Sequence, residues 1–315
     1  MRERRIDVLF SPGMRAPFEV LEPTGPETPV VVEVPHAGLD LPPPFLEPLA
    51  APARALGRDA DLYVDALYES APAEGASMLV ARASRYVLDL NRAEGDVDGE
   101  VVEGGRADVQ MHHGLVWRTT SDGEPALARK LRPDELEERL ELVWRPYHRA
   151  LAALIARKHD RFGVAVVLAA HSMPSVERVG RNAMAQRGAA LDGWGQREID
   201  RSREAGSARP ADAPARADVV PGTRGRRSAS ARFIDAVEAH AAASGWTVRH
   251  DDPYAGGFTT QHYGRPVDGV HAVQVELARR LYLDETTLRP NHNFSAARTW
   301  CRELVGRLGR LALTP

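Results

Sequence analysis

Cysteine is almost missing from this chain of 315 residues: Cys301 is the only one, so no disulfide can form within the chain. Cys301 lies in a helical stretch from Ser295 to Arg310 and reads as a small core residue. The lack of cross-links favours a cytoplasmic setting. Long apolar runs are missing too; none approaches the ~20 residues needed to span a bilayer. The basic start, Met1-Arg2-Glu3-Arg4-Arg5, has no apolar stretch behind it and so does not read as a secretory signal. Neither charge dominates. The net charge of −3 gives no global attraction to nucleic acid or to an anionic membrane. With 43% hydrophobic residues, the chain reads as a soluble globular protein able to bury a large core.

What the chain does have is a set of short, Val-rich runs that end in polar residues. Val30-Val31-Val32-Glu33-Val34-Pro35 leads into His36, and Val164-Ala165-Val166-Val167-Leu168-Ala169-Ala170 leads into His171. Nearly continuous apolar runs of this length read as strands covered on both faces. Further strands are expected at Ser77–Val80, Tyr86–Leu90, 247–250 and 271–276, and a short one within the leader of residues 1–29. Between them lie helical stretches: one through Leu62, Val64, Leu67 and Tyr68, one over Arg232–Ala243, and the terminal one. The longest starts at Pro133-Asp134-Glu135 and carries Leu136, Leu140, Val143, Tyr147, Leu151 and Leu154 at helical spacing, with a kink expected at Pro146. Residues 93–123 are polar and Gly-rich, as a surface excursion would be, and residues 177–217 read as a mobile loop or lid. The arginines at 224, 226, 227 and 232 read as a solvated loop and helix start. Strand and helix alternate throughout, which implies one α/β domain spanning residues 1–315.

Ligands of open α/β sheets bind beyond the carboxyl ends of the strands. One histidine there is ordinary structure; two make a candidate metal site. Catalytic zinc usually takes three protein ligands and keeps a position open. Asp40, Asp61 and Asp65 follow His36 closely enough to supply the third. His112 and His113 are adjacent in a loop and read as solvated. Asp89-Leu90-Asn91-Arg92 ends a strand, and an Asn beside an Arg can grip a carboxylate. Arg85, at the other end of that strand, could equally be an exposed salt-bridge partner. In Val270-His271-Ala272-Val273-Gln274-Val275-Glu276 an acid ends a strand, where it can carry a proton from water to a leaving amine. The segment from Pro253 through Tyr254, Gly256 and Gly257 to Thr260 is an aromatic, Gly-hinged loop suited to closing over a small substrate.

In this order, the motifs resemble the N-formylglutamate amidohydrolase family. The resemblance rests on Pro35-His36-Ala37-Gly38, Asp61-Leu62-Tyr63-Val64-Asp65, Ser84 through Arg92, Pro146-Tyr147-His148, His171-Ser172-Met173-Pro174-Ser175, Asp252 through Gly257, and Gln274-Val275-Glu276 with Leu281-Tyr282-Leu283-Asp284-Glu285 behind it. It covers most of residues 30–285. It implies a zinc-peptidase-like (phosphorylase/hydrolase-like) fold, three layers α/β/α around a mixed, mostly parallel sheet. It also implies a Zn2+ site of His36, His171 and one carboxylate, for which Asp61 is placed ahead of Asp65 and Asp40. On the same resemblance Glu276 is the general base, Arg85 a candidate to polarise the scissile carbonyl, and Asn91 and Arg92 the carboxylate clamp, with Tyr254 and Gly257 in the substrate loop. The expected activity is removal of a short N-acyl group, N-formyl above all, from an acidic amino acid such as N-formylglutamate. A deacylase or carboxypeptidase acting on another N-acyl amino acid or peptide is the alternative, as is a non-catalytic binding member. The family pattern has Ser where this chain has Ala37, an acid where it has Ala169, and Asn where it has Asp252 and Ala278.

Overall fold

The computed structural model describes residues 16–106, 108–109, 111, 113–176 and 215–314. The lid expected over 177–217 lies outside them, apart from 215–217, and so does His112. Six strands form one sheet: β1 (Phe18–Leu21), β2 (Val30–Val34), β3 (Ser77–Ala81), β4 (Ala165–Met173), β5 (Val219–Gly222) and β6 (Val270–Ala278). Their order is β1-β3-β2-β4-β6-β5, the four inner strands parallel and both edge strands antiparallel to their neighbours. Every residue of β2, β3, β4 and β6 is buried, as strands covered on both faces must be.

Alternation sorts these strands into two faces. Val32, Leu168 and Val275 point toward a layer containing α2 (Val64–Leu67), α5 (Ala231–Ala243) and α7 (Phe294–Ala312), and pack there with Val64, Phe233 and Leu304, whereas α1 (Ala53–Asp59) packs its Ala55 with Tyr86, Trp117 and Ala126. Val31, Val167 and Ala272 point the other way, against Val143, Tyr147 and Leu151 of the long helix. That helix is α3 (Pro133–Arg139), a π-helical turn over Leu140–Trp144, and α4 (Arg145–Phe162). The disruption expected at Pro146 thus takes the form of a wider turn just before it, since proline has no N–H to give the preceding turn. The result is a three-layer α/β/α fold.

Four expectations need correcting. Tyr86–Leu90 is a buried turn rather than a strand: Val87 N–H bonds to Ser84 O at 2.8 Å and Asp89 N–H to Leu115 O at 2.8 Å. Its apolar pattern reports burial, which a coil can share with a strand. At 247–250 only Val248 bridges Val219, because Asp218 and Thr247 exchange side-chain hydrogen bonds in place of a ladder. Of the helical stretch expected through Leu62, Val64, Leu67 and Tyr68, only α2 over Val64–Leu67 is helical: Leu62 lies in the break that separates it from α1, and Tyr63 at φ 64° precedes its first turn. Among the described residues of 93–123, Val101, Leu115, Val116 and Trp117 are buried, the first three packed beside the sheet end, so this stretch is not the surface excursion expected.

Candidate metal centre

Past its last paired residue, β2 continues through Pro35 to His36, which is buried beyond the strand end. The break between α1 and α2 presents Asp61, whose backbone N–H bonds to His36 O at 3.0 Å. His171 lies inside β4 rather than after it, in register with Glu276 of β6, and both strands run on two residues to the Met173–Ala278 pair. Ser172 beyond the apolar run hides that extension from the sequence. His36, Asp61 and His171 are brought together, each buried, with one donor atom apiece all within 4.8 Å of one another. Asp40 and Asp65 stay out of this cluster; Asp65 pairs with Arg82 at 3.0 Å.

The ring nitrogens have distinct directions. His171 Nδ1 lies 3.0 Å and His36 Nδ1 3.5 Å from Asp61 Oδ2, so both Nδ1 atoms face the same carboxylate. On the far side of its ring, His36 Nε2 meets Asp89 Oδ1 at 2.7 Å. Burial by itself would raise the Asp61 carboxyl, but hydrogen bonds and charge from His171 and His36 prevail and hold it well below the usual carboxylate range. Burial likewise works against charge on His171, yet Asp61 and the neighbouring Glu276 draw its pKa upward. Such a group of two imidazoles and one carboxylate suits a divalent transition metal with N/O preference.

Asp89 anchors the next ring of contacts. Its Oδ2 accepts from Arg85 Nη2 at 2.6 Å and Nε at 3.2 Å, and from Trp117 Nε1 at 2.9 Å. Arg85 also donates to Asp59 O at 3.0 Å and lies over the Trp117 ring at 4.3 Å, so it is not an exposed surface partner. The charge of Arg85 overcomes burial and keeps Asp89 far below the ordinary carboxylate range. His113 stacks on Trp117 with ring centroids 4.2 Å apart; burial and the charges of Arg85 and Arg92 push it down to about 4. The expectation of a solvated His113 is therefore wrong, because the 93–123 segment folds inward.

Asn91 is buried and its amide is committed to protein. Its Oδ1 accepts the Thr259 N–H at 3.0 Å and its Nδ2 donates to Gln274 Oε1 at 3.2 Å. Gln274 Oε1 also accepts the Gly257 N–H at 3.0 Å, which leaves its Nε2 to donate to Glu276 Oε1 at 2.9 Å. Burial raises the Glu276 carboxyl against the opposing charge of His171. Gly257 precedes α6 (Phe258–Tyr263), and a Cβ on it would overlap the Asn91 amide. Tyr254 accepts a hydrogen bond from Arg216 at 2.8 Å and packs near Met173 and Val220. Arg92 is half-buried, and its Nε is buried without a hydrogen-bond partner among the described residues.

A family model for N-formylglutamate amidohydrolase matches residues 28–283. The chain belongs to the N-formylglutamate amidohydrolase family. An N-formylglutamate deformylase of Pseudomonas aeruginosa is 33% identical over 272 residues, covering 85% of this chain and 86% of that protein. One from Pseudomonas putida is 31% identical, covering 82% and 83%. The crystal structure of an N-formylglutamate amidohydrolase from Ralstonia eutropha JMP134 superposes with a TM-score of 0.78 at 28% identity, over 95% of this chain and 99% of that one. Within this amidohydrolase, sequence reasoning misses Glu33, Gln274, Trp117 and Thr259 as parts of the site. Glu33 and Gln274 do carry a signal. Glu33 is the one polar side chain of β2, and Gln274 shares the fully buried β6 with His271 and Glu276, so each must find a buried partner.

Proposed function

We propose that this chain is a zinc-dependent amidohydrolase that removes the N-formyl group from N-formylglutamate. The observation carrying this reading is the buried cluster of His36, Asp61 and His171, with Glu276 in register beside His171. His36 and His171 through Nδ1, and Asp61 through a carboxylate oxygen, are the residues that would hold zinc. When bound there, the metal supplies Lewis-acid polarisation of the acyl carbonyl and lowers the pKa of the attacking water. Glu276, held at one oxygen by Gln274, takes a proton from that water and delivers it to the departing nitrogen. Arg92 binds a substrate carboxylate and so sets the amide over the cluster. Arg85 keeps Asp89 charged behind His36, and its remaining Nη hydrogens are the candidates for the acyl oxygen. Asn91 and Gly257 shape the site by joining the loop before α6 to Gln274, and Tyr254 borders that loop. The partner is thus a small N-acyl amino acid. A cytoplasmic setting accords with the one buried thiol, Cys301; no helix among the described residues is long and apolar enough to cross a membrane.

The test is Glu276→Gln in a protein assayed for zinc and for turnover of N-formylglutamate beside N-acetyl and peptide substrates. Zinc near one per chain should be kept while turnover falls roughly 10²–10⁴-fold, the usual worth of a general base. Near-normal turnover in the variant sinks the assignment of the base, and a wild type that prefers another panel member sinks the substrate.

A further inference from the structure

A metal that takes the Nδ1 lone pair of a histidine leaves the ring proton on Nε2, and that N–H then requires an acceptor. The two histidines differ sharply here. His36 Nε2 has the Asp89 carboxylate at 2.7 Å. His171 Nε2 instead faces Asn91 Nδ2 at 3.4 Å. Backbone N–H groups fix the direction of that amide: Thr259 N–H occupies Asn91 Oδ1, and Gly257 N–H shares Gln274 Oε1 with Asn91 Nδ2. With a metal on Nδ1, a donor would therefore face a donor.

An unused acceptor lies on the same sheet face. Glu33 of β2 is opposite Ala169 of β4, which is opposite Gln274 of β6, so the small Ala169 sits between two long polar side chains. His171 is the next residue on that face of β4. Glu33 is 0% exposed; its Oε1 accepts from Tyr147 Oη at 3.2 Å and Thr259 Oγ1 at 3.1 Å. Its Oε2 is buried with no hydrogen-bond partner among the described residues. A buried carboxyl with one oxygen satisfied and one idle is uncommon enough to require a reason.

We propose that Glu33 is a positioning residue of the metal centre, its Oε2 accepting the Nε2–H of His171 when the metal is bound. Tyr147 and Thr259 hold the other oxygen, and Glu33 then does for His171 what Asp89 does for His36. This rests on the metal-site reading above, and the experiment separates the two.

Zinc affinity is measured by chelator competition with Zn2+ alone for wild type, Glu33→Met and Glu33→Gln, with thermal unfolding of each metal-free protein. Methionine fills the space without an acceptor; glutamine keeps one. Glu33→Met should lose affinity roughly 10–100-fold while the metal-free protein unfolds at or above the wild-type temperature, and Glu33→Gln should recover most of the affinity. In the zinc-loaded proteins the His171 imidazole N–H proton resonance should shift upfield in Glu33→Gln, a readout that needs only the milder variant to fold. Wild-type affinity in Glu33→Met, or an unmoved resonance in Glu33→Gln, overturns the proposal. So does a loss of zinc that follows Asn91→Ala and not Glu33, which would make a turned Asn91 amide the acceptor. Wild-type protein that takes up no zinc sinks the metal-site reading itself.

Discussion

Asp61 is one carboxylate shared by two imidazoles, and its position explains why it can be. It lies in a helix break, tied by its N–H to the carbonyl of His36, which fixes its backbone beside that histidine. Of the three aspartates in reach along the chain, residue type could not choose; Asp65 is drawn off by Arg82, a pairing that depends on β3 lying beside β2. His36, His171 and Glu276 stand out in the sequence because a polar side chain that closes an apolar run is conspicuous, and Arg92 because it follows the apolar Tyr86–Leu90 run, which the fold makes a buried turn. Glu33 and Gln274 are harder to read because their value lies in partners far away in sequence, Thr259 and Asn91. Arg92 carries the prediction at this scale. Arg92→Ala should raise the KM for an acidic N-formyl amino acid by about 10- to 150-fold, as expected from ~1.5–3 kcal/mol for a charge-assisted hydrogen bond, with a smaller change for a neutral analogue. Equal effects on both substrates would remove Arg92 from carboxylate recognition.

Among the elements, the segments between regular structure do most to build the site. The turn over Tyr86–Leu90 carries Asp89 to His36, and the inward fold of residues 113–117 brings Trp117 onto the same carboxylate. The π-helical turn before Pro146 ends at Trp144, whose indole N–H bonds to Arg92 O at 3.0 Å and so fixes where the proposed carboxylate anchor leaves the chain. Hydrophobic periodicity finds α3, α4 and the inner strands, because each buries one repeating face. It misreads 86–90 and 93–123, since a coil whose backbone is hydrogen-bonded elsewhere can bury the same side chains. Gly257 tests this level. Gly257→Ala should push the loop off Asn91, lowering kcat/KM at least tenfold and stability by about 1–3 kcal/mol through overpacking, measured by kinetics and denaturant unfolding. Wild-type kinetics would mean that the loop adjusts without disturbing Asn91 or Gln274.

Across the whole molecule, several histidines are buried in the neutral form. His148 of α4 meets Leu90 O through Nε2 at 3.0 Å and the Tyr263 hydroxyl through Nδ1 at 3.0 Å, and burial pushes its pKa down to about 3. His271 is pushed down to about 4 in the same way. Between an ordinary histidine pKa of ~6.5 and these lowered values, the unfolded chain binds protons that the folded chain refuses. Their contribution to stability therefore falls as pH drops through that window, by up to about 1.4 kcal/mol per pH unit for each such group. His148→Gln should flatten the slope of unfolding free energy against pH between 6 and 4, and a slope equal to wild type would show that His148 is not held neutral. At this scale the layered α/β/α architecture was readable, because strands buried on both faces and an amphipathic helix leave their period in the order of residues. The pairings across that architecture were not. Asp61 rather than Asp65, Asp89 behind His36, and Glu33 beside Ala169 all follow from which strands and turns lie side by side, and side-chain chemistry acts over a few ångströms of space, not over positions in a chain.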